Sequence, residues 1–316
     1  GSSNVIMGSE AGHELTSATN NVAIGASALD RMNGAPANNV AVGGGAMHGN
    51  LSNVAITGCV AIGHEALEGT LTVGANYSVA IGKEALKGLT SGGGSLAIGY
   101  QAGSSITTGA DNISLGYQAL QHCVDGESNI AIGNGALSDW DVGGGTNTTV
   151  DGSSFNVMIG RNAGGGAWTN VASQYNVGIG NYVMDAAMDG AINNTALGHQ
   201  SLGALTTGDN NVAVGSSAGA TLTTGGNNVA IGKGSMDAAV ATSTENVFIG
   251  LDSGGGSWTG SASNCNVGVG NYVMDAAMDG ATYNTALGYH ALGAITTGDD
   301  NVAVGTSSLT TLTTGS

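Results

Sequence analysis

The sequence predicts an all-β fold, a parallel β-roll or solenoid of about 17 short rungs. Three observations carry that expectation. A five-residue motif recurs in register, as Asn21-Val22-Ala23-Ile24-Gly25, Asn211-Val212-Ala213-Val214-Gly215 and Asn301-Val302-Ala303-Val304-Gly305. Its closing glycines fall at 8, 25, 43, 63, 82, 99, 116, 133, 160, 180, 198, 215, 232, 250, 270, 288 and 305, mostly 17 to 20 residues apart. A fixed short period is the signature of stacked coils. Glycine reaches 58 residues against one proline and 9% charged residues, yet it does not recur every third residue as collagen requires.

The first element of each rung is the motif itself. Val212 and Val214 alternate with Asn211, Ala213 and Gly215, the period-two pattern of a strand. Size suggests that Val22 with Ile24, Val212 with Val214, and Val302 with Val304 fill the rung interior. The opposite face, with its Ala and Gly, then suits close approach by another backbone at a subunit interface. The asparagine falls at the same place in each rung, where stacked amides can bond along the axis.

A second short strand is expected at the x-x-Ala-Leu segments, such as Ala28-Leu29, Ala66-Leu67 and Ala119-Leu120, with leucine as a third core residue. Turns such as Thr206-Thr207-Gly208-Asp209 close the rung. Burying two or three such side chains is worth ~1.5–3 kcal/mol each, while ordering each residue costs ~1–2 kcal/mol. A single glycine-rich roll is therefore marginal, and an oligomer is expected.

The single body, 1–316, carries three expected loop insertions at 134–155, 164–175 and 254–265, and they hold the three tryptophans, Trp140, Trp168 and Trp258. Segments 176–225 and 266–315 are near-duplicates, identical at 38 of 50 positions. Both contain Asn-Tyr-Val-Met-Asp-Ala-Ala-Met-Asp-Gly, with Met184 and Met188 at the spacing of one helical turn. Interruptions of a repeat are the places to look for recognition. Trp140, Trp168, Trp258, Tyr182 and Tyr272 are the candidate surface and glycan contacts, with packing as the competing role for the tryptophans.

The formal charge of -17, from 22 acids and five bases, argues against nucleic acid and against a polybasic membrane contact. No apolar run reaches membrane-spanning length, so no membrane insertion is expected. The cysteines Cys59, Cys123 and Cys265 form no CxxC, and no phosphate loop, zinc motif or Gly-x-Ser-x-Gly occurs. No catalytic residue, metal ligand or cofactor is therefore assigned. Calcium at Asp185 with Asp189, or Asp275 with Asp279, has only two acids per site to recommend it. The chain starts and stops within repeats, as expected of a piece of a longer polypeptide.

These residues resemble the head repeat of trimeric autotransporter adhesins, close to Asn-Ser-Val-Ala-Ile-Gly. Segments Ile98-Gly99-Tyr100-Gln101-Ala102-Gly103, Leu115-Gly116-Tyr117-Gln118-Ala119-Leu120 and Leu197-Gly198-His199-Gln200-Ser201-Leu202 are similar to the Gly-Tyr-Gln-Ala repeats of tail-fibre-like proteins of marine phages. The resemblance covers nearly the whole chain. It implies a left-handed parallel β-roll packed as a homotrimer, in an extracellular fibre. The expected function is the structural or adhesive shaft of a phage tail fibre. Its partners would be other copies of itself, further fibre or baseplate proteins, and a glycan or protein receptor on the host surface. A bacterial adhesin head that binds glycan or matrix is the alternative, and a depolymerising tailspike a third.

Overall fold

The computed structural model describes residues 1–32, 34–49, 55–138, 152–166, 168 and 171–315. The fold is an all-β parallel solenoid. The chain forms two compact units, Gly1–Asn156 and Val157–Ser316. Unit 1 carries β1 (Val5–Met7), β2 (Val22–Ile24), β3 (Val40–Val42), β4 (Val60–Ile62), β5 (Val79–Ile81), β6 (Leu96–Ile98), β7 (Ile113–Leu115) and β8 (Ile130–Ile132). Unit 2 carries β9 (Val157–Ile159), β10 (Val177–Ile179), β11 (Thr195–Leu197), β12 (Val212–Val214), β13 (Val229–Ile231), β14 (Val247–Ile249), β15 (Val267–Val269), β16 (Thr285–Leu287) and β17 (Val302–Val304). Within each unit every strand pairs in parallel with the next, equivalent residue against equivalent residue, as Val22↔Val40 and Val212↔Val229.

The strands face the opposite way from the size argument. The central Ala23, Ala41, Ala213 and Ala230 are buried, while the flanking valines and isoleucines of β2, β3, β12 and β13 are only half-buried. The rung is too narrow at the strand for two β-branched side chains, so alanine fills its interior. Close backbone approach does occur, but within the chain. A Cβ on Gly25 would lie 2.6 Å from the carbonyl oxygen of Gly43, and one on Gly215 would lie 2.4 Å from that of Gly232. Both glycines also sit at φ above +130°.

The x-x-Ala-Leu segments are turns, not second strands. Leu29, Leu67 and Leu120 adopt φ near +54°, and the residues two before them are left-handed as well. Alternate N–H groups then reach opposite neighbours: Ser27 donates to Ser9 O at 2.8 Å and Leu29 to Ala46 O at 2.9 Å. Left-handed backbone costs ~1–2 kcal/mol per residue, and leucine, unbranched at Cβ, tolerates it better than valine. The leucines are buried, as expected of a third core residue. The same geometry replaces the expected helical turn at Met184, whose φ is +46°.

The asparagine ladder is present. Asn211 Nδ2 donates to Asn194 Oδ1 at 3.0 Å and Asn228 Nδ2 to Asn211 Oδ1 at 3.0 Å. Each Oδ1 also accepts the backbone N–H of the next asparagine, as Asn228 N to Asn211 Oδ1 at 3.0 Å. The second Nδ2 proton satisfies a turn carbonyl, Gly225 O for Asn211 at 2.9 Å. One buried amide thus closes three backbone or side-chain needs per rung.

Candidate functional site

Three features of the surface and its supports bear on function: the outward strand face, the insertions and the turn that follows each strand. On the outward face, position one of the strands of unit 2 reads Val157, Val177, Thr195, Val212, Val229, Val247, Val267, Thr285 and Val302. Position three is aliphatic in every strand, with Leu287 49% and Ile179 42% exposed. Unit 1 presents the same two columns, with Ile62 and Ile98 exposed. Stacked in register, these side chains make an apolar stripe two residues wide along each unit. Such contiguous exposure marks an interaction surface.

The tryptophans do not decorate that surface. Trp168 is fully buried and Trp258 is 6% exposed. Trp258 packs edge-on against Phe248, ring centres 5.8 Å apart. The cause lies in the strand centres. Phe248 and Met158 replace the usual alanine, and Gly268 and Gly178 in the following rungs make room for them. A Cβ on Gly268 would sit 2.6 Å from the Phe248 ring, and one on Gly178 2.5 Å from Met158 Sδ. Trp258 therefore belongs to an enlarged core layer rather than to an exposed sugar platform. Trp140 and most of its insertion lie outside the described residues.

Tyr182 and Tyr272 do line the surface, each two residues after a closing glycine and half-exposed. The Arg161 guanidinium lies 5.7 Å over the Tyr182 ring, and His199 meets that ring edge-on at 6.0 Å. Beside it opens a pocket of about 230 Å³, lined by Tyr182, Asp185, Gln200, Gly203, Ala204 and Ala220. Tyr182 and Gln200 occupy equivalent turn positions one rung apart, both left-handed with φ +56°. Asp185, Gly203 and Ala220 occupy another column, five residues after their closing glycines. The pocket exists because Gly203 and Ala220 lack the side chains that would fill it.

The paired acids weighed for calcium are separated in role. Asp189 Oδ1 accepts the Val171 N–H at 2.6 Å and Asp279 Oδ1 the Ser261 N–H at 2.7 Å, so both serve backbone bonding between rungs. Among the described residues no group of three His, Cys, Asp or Glu side chains is arranged to hold a metal. Asp237 and Asp275 titrate above the ordinary carboxylate range, first because they are partly buried and then because Asp252 stands between them. The His122–Cys123 pair is not a nucleophile and its base. Burial pushes the Cys123 thiol up to about 12, and its Sγ donates to Gly126 O. His122 Nδ1 is 2.6 Å from Ser138 O instead.

In unit 1 the turns carry charge. His48 lies 3.8 Å from the buried Asp30 and 3.9 Å from Glu68, while Lys87 pairs with both Glu65 and Glu68. The sequence did not single out this column, although alternation of sign at rung spacing (Asp30, His48, Glu68, Lys87) was there to find. Among the described residues no helix is long and apolar enough to cross a membrane. No family model, no curated protein and no solved structure matches the chain.

Proposed function

We propose that the protein is the shaft of an extracellular fibre, built of left-handed β-rolls packed as a homotrimer, in a phage tail fibre. The apolar stripe of outward valines and isoleucines is the observation that supports this reading. Alanine-lined rungs bury little by themselves, and a largely aliphatic stripe two side chains wide, with threonine at position one only in β11 and β16, offers a second and third copy a matching surface. Such a surface is isotropic along the axis, so it joins rods side by side rather than capturing a compact ligand. The three-fold number comes from the resemblance to trimeric autotransporter heads and phage fibre repeats. The shaft holds a receptor-binding element away from the particle and adds contacts to the host surface.

The pocket at Tyr182 favours a second reading, an adhesin head that binds glycan directly. Light scattering on the purified chain tests the assembly. The expected mass is three times the 30.5 kDa of one chain. A monodisperse monomer at micromolar concentration contradicts the proposal.

A further inference from the structure

We infer that unit 2 carries a subsite for neutral saccharide at Tyr182. It is the pocket of Tyr182, Asp185, Gln200, Gly203, Ala204 and Ala220. Its volume of about 230 Å³ is below the ~300–1,000 Å³ of pockets for drug-sized ligands, which limits it to a single ring. The walls supply what one sugar ring needs. Tyr182 offers apolar ring surface, held in place by Arg161 and His199. Asp185 offers acceptors and the Gln200 amide both a donor and an acceptor, the set that pairs with neighbouring hydroxyls. Glycine in the preceding rung leaves space for the acid: a Cβ on Gly165 would lie 2.9 Å from Asp185 Oδ1. The carboxylate on the wall, in a chain of formal charge -17, rejects anionic sugars.

The near-duplicate segment 90 residues later keeps part of this arrangement. Tyr272 and Asp275 replace Tyr182 and Asp185, and Gly293 and Ala294 replace Gly203 and Ala204. It differs where the space is made: Thr310 stands where Ala220 was, and His290 where Gln200 was. A Cβ on Gly293 would lie 2.4 Å from His290 Nδ1, so the imidazole covers that glycine. The duplicate is therefore an internal control for the pocket at Tyr182.

The inference rests on the fibre reading only in that the turns face solvent, and its test separates the two. The full chain is applied to immobilised neutral hexose and N-acetylhexosamine oligosaccharides and to uronic-acid oligosaccharides, with the mass measured on the same sample. Binding to neutral oligosaccharides is expected. Tyr182→Ala should weaken it at least tenfold, whereas Tyr272→Ala should leave it unchanged. Ala220→Gln, which fills the pocket from a half-buried turn position, should match Tyr182→Ala with unchanged thermal stability. No binding, binding restricted to uronic acids, or binding indifferent to all these variants overturns the inference. A trimer that binds no neutral sugar leaves the shaft standing, and a monomer that binds it removes the shaft and leaves the subsite.

Discussion

Unit 2 runs its asparagine ladder without a break from Asn176 to Asn301, whereas unit 1 interrupts it at three successive rungs. There Cys59, Ser78 and Ser95 replace asparagine. Cys59 still donates its N–H to Asn39 Oδ1 at 2.9 Å, but the Ser78 hydroxyl is buried with no hydrogen-bond partner. Those same rungs carry the lysine ion pairs found among the described residues. Lys87 bridges Glu65 and Glu68, Lys83 pairs with Glu84 at 3.2 Å, and Gln101 extends the chain from Glu84 to Gln118. The two units thus tie equivalent rungs together by different chemistry. Buried amides are independent of salt and pH, while exposed ion pairs are screened and individually weak.

The core offers the largest way to break the comparison. Unit 2 swaps bulk between rungs at Phe248 and Gly268, a device the described rungs of unit 1 do not use. Phe248→Ala should cost ~3–5 kcal/mol through the cavity it leaves, and Gly268→Ala ~1–3 kcal/mol through overpacking. The double variant should be more stable than the sum predicts, because alanine at both centres restores the common rung. Thermal unfolding of the four proteins measures the coupling, and strict additivity would refute the swap.

Removing one rail of the ladder comes next. Asn228→Ala leaves the Asn246 N–H and the Ser243 carbonyl without their partner, at ~1–3 kcal/mol for each buried group. The converse change, asparagine at 59, 78 and 95 together, should stabilise unit 1 by ~1 kcal/mol per bond restored. It should also reduce the sensitivity of unit 1 to 1 M salt. Hydrogen exchange resolved by segment reads both, and equal salt sensitivity before and after repair would contradict the division of roles.

The pH response is smaller and opposite in the two units. Glu65 is held below its ordinary value of 4.5, first by the Lys87 hydrogen bond, and Glu84 first by Gln101 and then Lys83. Their stabilisation is complete above that value and is lost as pH falls through the lowered folded one. Asp237 and Asp275 are raised from 3.8. Their charge costs stability above the raised value, and the cost is relieved as pH falls toward 3.8. As the pH falls from 7 to 3, exchange protection should rise around Asp252 and, below 4.5, drop at the rungs of Glu65 and Glu84. Asp252→Asn should reduce the rise and leave the part that comes from burial.

Much of the fold was legible because a strand pattern locked to a 17–20-residue period admits few architectures. The ladder was legible too, since Asn21, Asn39 and their equivalents fall at one place in every rung. The direction of the strands was not. Alternation says that Val212 and Ala213 face opposite ways, but not which way is in. The missed signal was substitution between rungs: the alanine position varies in compensated pairs, Met158 with Gly178 and Phe248 with Gly268, as a packed interior must. The same pairs explain why Trp258 is buried, for it sits beside an enlarged centre. Tyr182 was found as a residue but not as a pocket, because the space beside it is made by Gly203 and Ala220, two rungs' worth of missing side chains.

The face assignment is the centre of the account, and sedimentation velocity read beside circular dichroism tests it most directly. Val212→Asp with Val214→Asp puts charge on the outward stripe, and Ala213→Asp puts it in the interior of the same rung. The outward pair should yield a folded species of one-third the parent mass, while Ala213→Asp unfolds the surrounding rungs. A parent assembly that survives the outward pair, or a fold that accepts Ala213→Asp, would contradict it.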